Sequence, residues 1–302
     1  MRALLVAFAL LVSAACGSAP ASAPAPSATP SPALVTDFQG RSVQLPRSVQ
    51  RIVSIGGSNT EFLFALGAGD RIVGVDDFSD EPPAALQKDK VGGVRVNLEK
   101  VTSLRPDLVV TIKFSDGTVE RLAAGGAVVL VVDPLTLGDV ARSATLIGQA
   151  VGADGTKLAD DITRRLQVVK DRTSAIAPKP RVFHELDASD PAKPFTVGPG
   201  SFVHELIELA GGQNIAANAA SRAPQLSAEE LVRSDPEVII LADADYGVTA
   251  QQVAQRQGWG TVTAVRRGRI HPIAANLVSR PGPRIAEAAE AYARLLHPDL
   301  FR

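Results

Sequence analysis

The chain has 302 residues, with 31 lysines and arginines against 32 aspartates and glutamates and a net charge of −1. That balance excludes an extended basic surface of the kind that holds nucleic acid. One cysteine, Cys16, excludes an intrachain disulfide framework.

Residues 1–15 read as an export signal: Arg2, an apolar run over 3–12, then the small residues Ser13, Ala14 and Ala15. Ten apolar residues are too few to span a bilayer as a helix. Cys16 stands where a bacterial lipoprotein signal places the cysteine that is lipidated and becomes the new N-terminus; the alternative is a stray cysteine in an ordinary signal peptide. Residues 18–33 are all Ala, Pro, Ser or Thr, a composition that buries no core. Segment 16–35 therefore reads as a lipidated cysteine and a semi-rigid spacer of up to roughly 50 Å. The expected location is extracytoplasmic, at the periplasmic or outer face of a membrane.

From Arg51 the pattern is strand (RIVSI), tight turn (Gly56, Gly57, Ser58), a helix over 60–69 with Phe62, Leu63 and Leu66 on its apolar side, and strand (RIVGV). Another strand follows at 128–132. Residues 36–137 form a first lobe. The segment 138–177 has no strand pattern, and Leu158, Ile162, Leu166 and Val169 share one face of a helix predicted from about Asp154 to Ala177. Such a helix, on the order of 35 Å long, would be the only covalent link to a second lobe, 178–302. That lobe opens with strand RVFHEL and helix VHELIELAGG. The expected fold class is α/β, two lobes of mostly parallel sheet flanked by helices and bridged by one long helix.

A stretch recurs 130 positions on: NLEKVTSLRPDLVV from Asn97 and SAEELVRSDPEVII from Ser227. In both copies a glutamate, Glu99 or Glu229, lies two residues past a capping residue and seven before a proline, Pro106 or Pro236. An acid and three branched aliphatics follow. Acids in a helix first turn also favour the macrodipole, and Ser227 with Glu230 spells a capping box.

The segments RIVSIGGSNTEFLFALGAGDRIVGV, DDFSDEPP, NLEKVTSLRPDLVV, FTVGPGS, LIELAGGQNI, QLSAEELVRSDPEVII and SRPGPR, in this order, resemble the substrate-binding proteins of ABC importers whose lobes are bridged by one helix. That group delivers cobalamin, ferric siderophores and haem, and the cobalamin binders are the most similar. The resemblance implies the class III periplasmic-binding-protein fold, a monomer, and partners in the permease with its ATPase subunits. It implies that Glu99 and Glu229 dock on permease arginines. It also implies that Phe78 and Phe195 occupy positions where cobalamin binders stack aromatic rings, whereas two further such positions, tryptophans there, are Gly93 and Ala223 here.

Ligands of open α/β sheets sit beyond the C-terminal strand ends. That rule selects Ser58, Asn59, Asp77, Phe78 and Lys113 in the first lobe, and Glu185, Phe195, Tyr246 and Arg280 in the second. Arg95, Lys113 and Arg280 have the chemistry to pair with the iron centre of a siderophore or with haem propionates. The expected ligand is a metal chelate, a corrinoid first, with siderophore or haem as the alternative.

Competing classes find less support. The four histidines do not cluster as a metal site requires, and His184, the one candidate axial ligand for haem, sits on a strand, where a lone histidine is more often packed than ligating. HELIE at 204–208 lacks the second histidine of the zinc protease motif, and neither a G-x-S-x-G elbow nor a Walker loop is present. No catalytic residue and no cofactor is expected, and an exported hydrolase is the distant alternative.

Overall fold

The computed structural model describes residues 33–301, so the predicted signal, Cys16 and the linker up to residue 32 lie outside the described residues. An antiparallel pair, β1 (Leu34–Thr36) and β2 (Ser42–Gln44), comes first. The first lobe then builds a parallel sheet from β3 (Ile52–Ser54), β4 (Ile72–Val75), β5 (Asp89–Lys90), β6 (Leu108–Thr111) and β7 (Val128–Val131), in the order β5-β4-β3-β6-β7. Its helices are α1 (Gly57–Ala65), α2 (Leu98–Ser103) and α3 (Thr118–Ala124). Every residue of β3 and β6 is buried, as expected of parallel strands covered on both faces.

The helix expected over 60–69 begins three residues earlier. Gly56, at φ 102°, turns the chain directly from β3 into α1. A side chain there would bring its Cβ within 2.7 Å of Ile112 Cγ2, so position 56 tolerates only glycine.

The connection between lobes is also more than one helix. α4 (Leu137–Val151) carries a capping box on Thr136 and Asp139, and α5 (Gly155–Thr173) is capped by Asp154. Gly148 and Gly155 let the pair approach closely: a Cβ on Gly148 would lie 2.6 Å from Gly155 Cα. Arg71 of the first lobe holds the Val151 carbonyl at the end of α4, while Thr173 at the end of α5 donates to the Leu209 carbonyl of the second lobe. α5 spans about 28 Å at 1.5 Å per residue, four residues short of the expected end at Ala177. The bridge is therefore an antiparallel helical hairpin.

The second lobe carries β8 (Arg181–Glu185), α6 (Phe202–Leu209), β9 (Gln213–Asn214), α7 (Ala228–Ser234), β10 (Val238–Leu241), α8 (Ala250–Ala254), α9 (Thr263–Arg266), β11 (Ile270–Pro272), α10 (Ala275–Val278) and α11 (Ile285–Leu296). Its sheet is parallel, in the order β11-β10-β8-β9.

The 130-residue repeat is a repeat of structure. Ile52 lies opposite Leu108, and Val182 lies opposite Val238. Arg51 donates to the Leu104 carbonyl at the end of α2, and Arg181 donates to the Ser234 and Asp235 carbonyls at the end of α7. Asp107 accepts the Arg51 N–H at 2.8 Å; Glu237 accepts the Arg181 N–H at 3.2 Å. In each lobe the residue before the proline is left-handed, Arg105 at φ 46° and Asp235 at φ 43°. One arginine thus covers the exposed carbonyls of a helix end, and one acid ties that end to the neighbouring strand.

Candidate ligand-binding cleft

Strand order reverses between β3 and β6 in the first sheet and between β8 and β10 in the second. Such reversals open a crevice at the C-terminal strand ends, and side chains draw these two edges together. Arg280, beyond β11, donates to the Phe78 carbonyl at 2.9 Å and pairs with Asp80 and, at 3.6 Å, with Glu61 of α1. Arg284 grips Glu61 with two bonds of 2.8 and 2.9 Å. Glu61 is only 5% exposed, so this cross-lobe fork is a desolvated, charge-assisted pair. Glu205 of α6 accepts the N–H of Leu137 at the start of α4.

The predicted residues divide into two groups. Asp77, Phe78, Lys113, Phe195 and Tyr246 are exposed on the C-terminal edges, and Arg95 is exposed on the loop before α2. The others are committed elsewhere. Ser58 is buried in the first turn of α1 beneath Gly282. Asn59 is fully buried, its amide donating to the Ile55 and Val132 carbonyls at 3.1 Å, which fastens α1 to the sheet. Glu185 is fully buried and bidentate to Arg256. Arg280 spends its charge on Asp80 and Glu61 rather than on an open cleft. His184 is fully buried, with Nδ1 on the Tyr292 hydroxyl at 2.7 Å, and burial pushes its pKa down to about 3. It is a packed neutral imidazole, closed to a haem iron. Among the described residues no group of three His, Cys, Asp or Glu is placed to hold a metal ion.

Sequence reasoning missed three features. Asp76, 3% exposed, accepts from Gly56 N–H and Ser79 Oγ, and Ser79 continues through Thr60 to Ser54 in a buried hydroxyl chain under the mouth of the first lobe. Burial raises the Asp76 pKa, with Ser79 pulling the other way. Asp133, beyond β7, feels the Arg222 charge from the second lobe. Asp243, beyond β10, is 4% exposed, and neither of its oxygens makes a hydrogen bond. The repeat held a signal for it: a shift of 130 carries Lys113 onto Asp243.

Burial first, then the Glu185 charge, raises the Asp243 pKa to about 6, with the Arg256 charge pulling the other way. A carboxyl whose folded pKa lies above its unfolded value adds stability below about pH 4, and that contribution is lost as pH rises through 6. Asp243→Asn is therefore expected to exceed the parent in stability by about 2 kcal/mol at pH 7.5, with the difference shrinking below pH 5. Urea unfolding at both pH values measures it; an advantage independent of pH would rule out the carboxylate as its source.

The family described as periplasmic binding protein matches residues 52–277. The chain belongs to this family. The substrate-binding lipoprotein YvrC of an ABC transporter from Bacillus subtilis (strain 168) is 32% identical over 277 residues, which cover 89% of this chain and 86% of YvrC. A cobalamin-binding protein of Halobacterium salinarum (strain ATCC 29341 / DSM 671 / R1) is also 32% identical over 277 residues, 86% of this chain and 73% of the relative. Among solved structures, the periplasmic haem-binding protein BhuT in complex with two haems superposes with a TM-score of 0.75 at 27% identity, over 84% of this chain and 99% of BhuT. The two parallel sheets flanked by helices are those of class III periplasmic binding proteins. This periplasmic binding protein is the substrate-binding component of an ABC importer. It acts outside the cytoplasm with a permease and a small ligand as partners, and it is not an enzyme.

Proposed function

We propose that the protein captures a metal chelate, a corrinoid first, between its lobes and delivers it to the permease while tethered to the membrane through lipidated Cys16. One observation carries this reading. Phe78, Phe195 and Tyr246 are 53%, 40% and 83% exposed, all at C-terminal strand edges, in a chain that is only 4% aromatic. Exposed rings gathered at a cleft suit a large flat ligand. The cobalamin-binding relative favours a corrinoid, and the haem complex keeps haem, with ferric siderophores, as the alternative. Gly93 offers no ring for stacking, and the position beside it is taken by the Asp77 carboxylate, 2.9 Å from where a Cβ would lie.

Docking falls to Glu99 and Glu229. Both are exposed second residues of their helices, and neither has a partner among the described residues. Capping is done by their neighbours, Asn97 for α2 and the Ser227–Glu230 box for α7. That division of labour leaves the two glutamates available for permease arginines, one per lobe.

Titration of the purified protein with cyanocobalamin, cobinamide, haemin and ferric siderophores tests the ligand. Sub-micromolar binding of the corrinoids is expected; sub-micromolar binding of haemin alone would overturn the corrinoid reading.

A further inference from the structure

A cavity of about 410 Å³ lies at the strand reversal of the second sheet, walled by Leu186, Asp187, Ser189, Asp243, Tyr246 and Val248. Its acids are not alike. Asp187 accepts the Ser189 N–H, whereas both oxygens of the buried Asp243 are without a partner. The nearby cation is already taken, since Arg256 is spent on Glu185. A buried carboxylate with no donor is a costly arrangement in a folded chain, and a ligand that brings donors relieves it.

The segment that follows Asp243 is exposed: residues Ala244–Tyr246 form a single 3-10 turn with no buried residue, and Tyr246, which also lines the cavity, projects into solvent.

The first lobe carries the counterpart position. Lys113, exposed beyond β6, is the repeat counterpart of Asp243 beyond β10. The two strand reversals thus carry a donor on one side and an acceptor on the other. A rim of primary amides satisfies both, with its C=O for Lys113 and its N–H for Asp243. A rim of carboxylates satisfies only the lysine and is repelled by the aspartate.

We propose that the Asp243 cavity is a binding subsite for an N–H donor, an ammonium or primary amide on the rim of the ligand, received by the two oxygens of Asp243. The assignment rests on the chelate-binding reading for the body of the ligand and selects an amide-rimmed chelate over a propionate-rimmed one.

Two measurements test it. In the first, the carboxyl carbon of Asp243, assigned by difference against Asp243→Asn, is followed by 13C NMR while methylammonium, propanamide or propionate is added to the unliganded protein. Saturable shifts with methylammonium and propanamide and none with propionate are expected. No shift with any probe, or an equal shift with propionate, would overturn the subsite.

In the second, cobinamide and haemin are titrated into the parent and Asp243→Asn, each checked for a native unfolding transition. Loss of a charge-assisted bond is expected to weaken cobinamide about tenfold or more in the variant and to leave haemin unweakened. If methylammonium shifts the carboxyl while cobinamide binds to neither protein, the subsite stands and the corrinoid reading falls. If cobinamide binds both proteins equally and methylammonium shifts nothing, the corrinoid reading stands and the subsite falls.

Discussion

Glu185→Ala is expected to lower the unfolding free energy by about 3–5 kcal/mol, because it strands the Arg256 guanidinium, only 11% exposed, without a counter-ion. The pair does more than fill space. Glu185 closes β8 directly before Leu186–Ser189 of the Asp243 cavity wall, and Arg256 follows α8, so the bond ties that strand end to the segment after α8. Arg256 also lies 4.7 Å over the Trp259 ring, which fixes its orientation. Replacing both partners by methionine is expected to recover most of the loss, since a buried pair exchanged for apolar groups of similar volume is close to neutral. Urea unfolding of the single and double variants reads both. A loss below 1 kcal/mol in Glu185→Ala, or no recovery in the double variant, would show that the pair is not holding this wall.

The second large effect is on delivery. Glu99→Ala combined with Glu229→Ala is expected to cut transport by about 10²–10³-fold, each lost charged contact weakening permease docking by roughly 2 kcal/mol. Ligand affinity should stay within about twofold of the parent, because neither side chain lines the Asp243 cavity and both are exposed on the first turns of α2 and α7. Each single variant should fall between, since one anchored lobe still finds the permease but no longer fixes the register. Uptake in whole cells and affinity for the permease in detergent are the two readouts. Transport and permease affinity that survive the double substitution would end the docking proposal and leave helix-dipole stabilisation as the reason for these acids.

Much of this architecture was legible because parallel strands buried on both faces read as runs such as LVV after Asp107 and VII after Glu237. The two-lobed α/β class followed from those runs together with the helical patterns between them. The partition of site residues was less legible. Glu185 and Asn59 lie at strand and helix ends where ligands gather, but nothing local in sequence shows that Arg256, 71 positions away, and the Val132 carbonyl, 73 away, have already claimed them. Arg280 was placed near the cleft by its position beyond the C-terminal strand, yet its partners, Asp80 and Glu61, lie about two hundred residues earlier. Asp243 carried no local motif either, and only its register with Lys113 marked it. The helical hairpin was half seen: the large apolar residues of α5 mark its face, whereas α4 buries small residues alongside large ones and packs closely through Gly148.

The hairpin bridge has a mechanical consequence. A lone rod bends equally in every direction, but two rods fastened along their length resist bending in the plane that holds both axes and yield only across it. α4 and α5, pressed together at Gly148 and Gly155 and pinned by Arg71 at one end and Thr173 at the other, form such a flat strut. The lobes are left with one soft axis. If the permease grips one point on each lobe, as proposed, it need apply torque about that axis alone, and the Glu61–Arg284 fork would be the clasp that such torque opens.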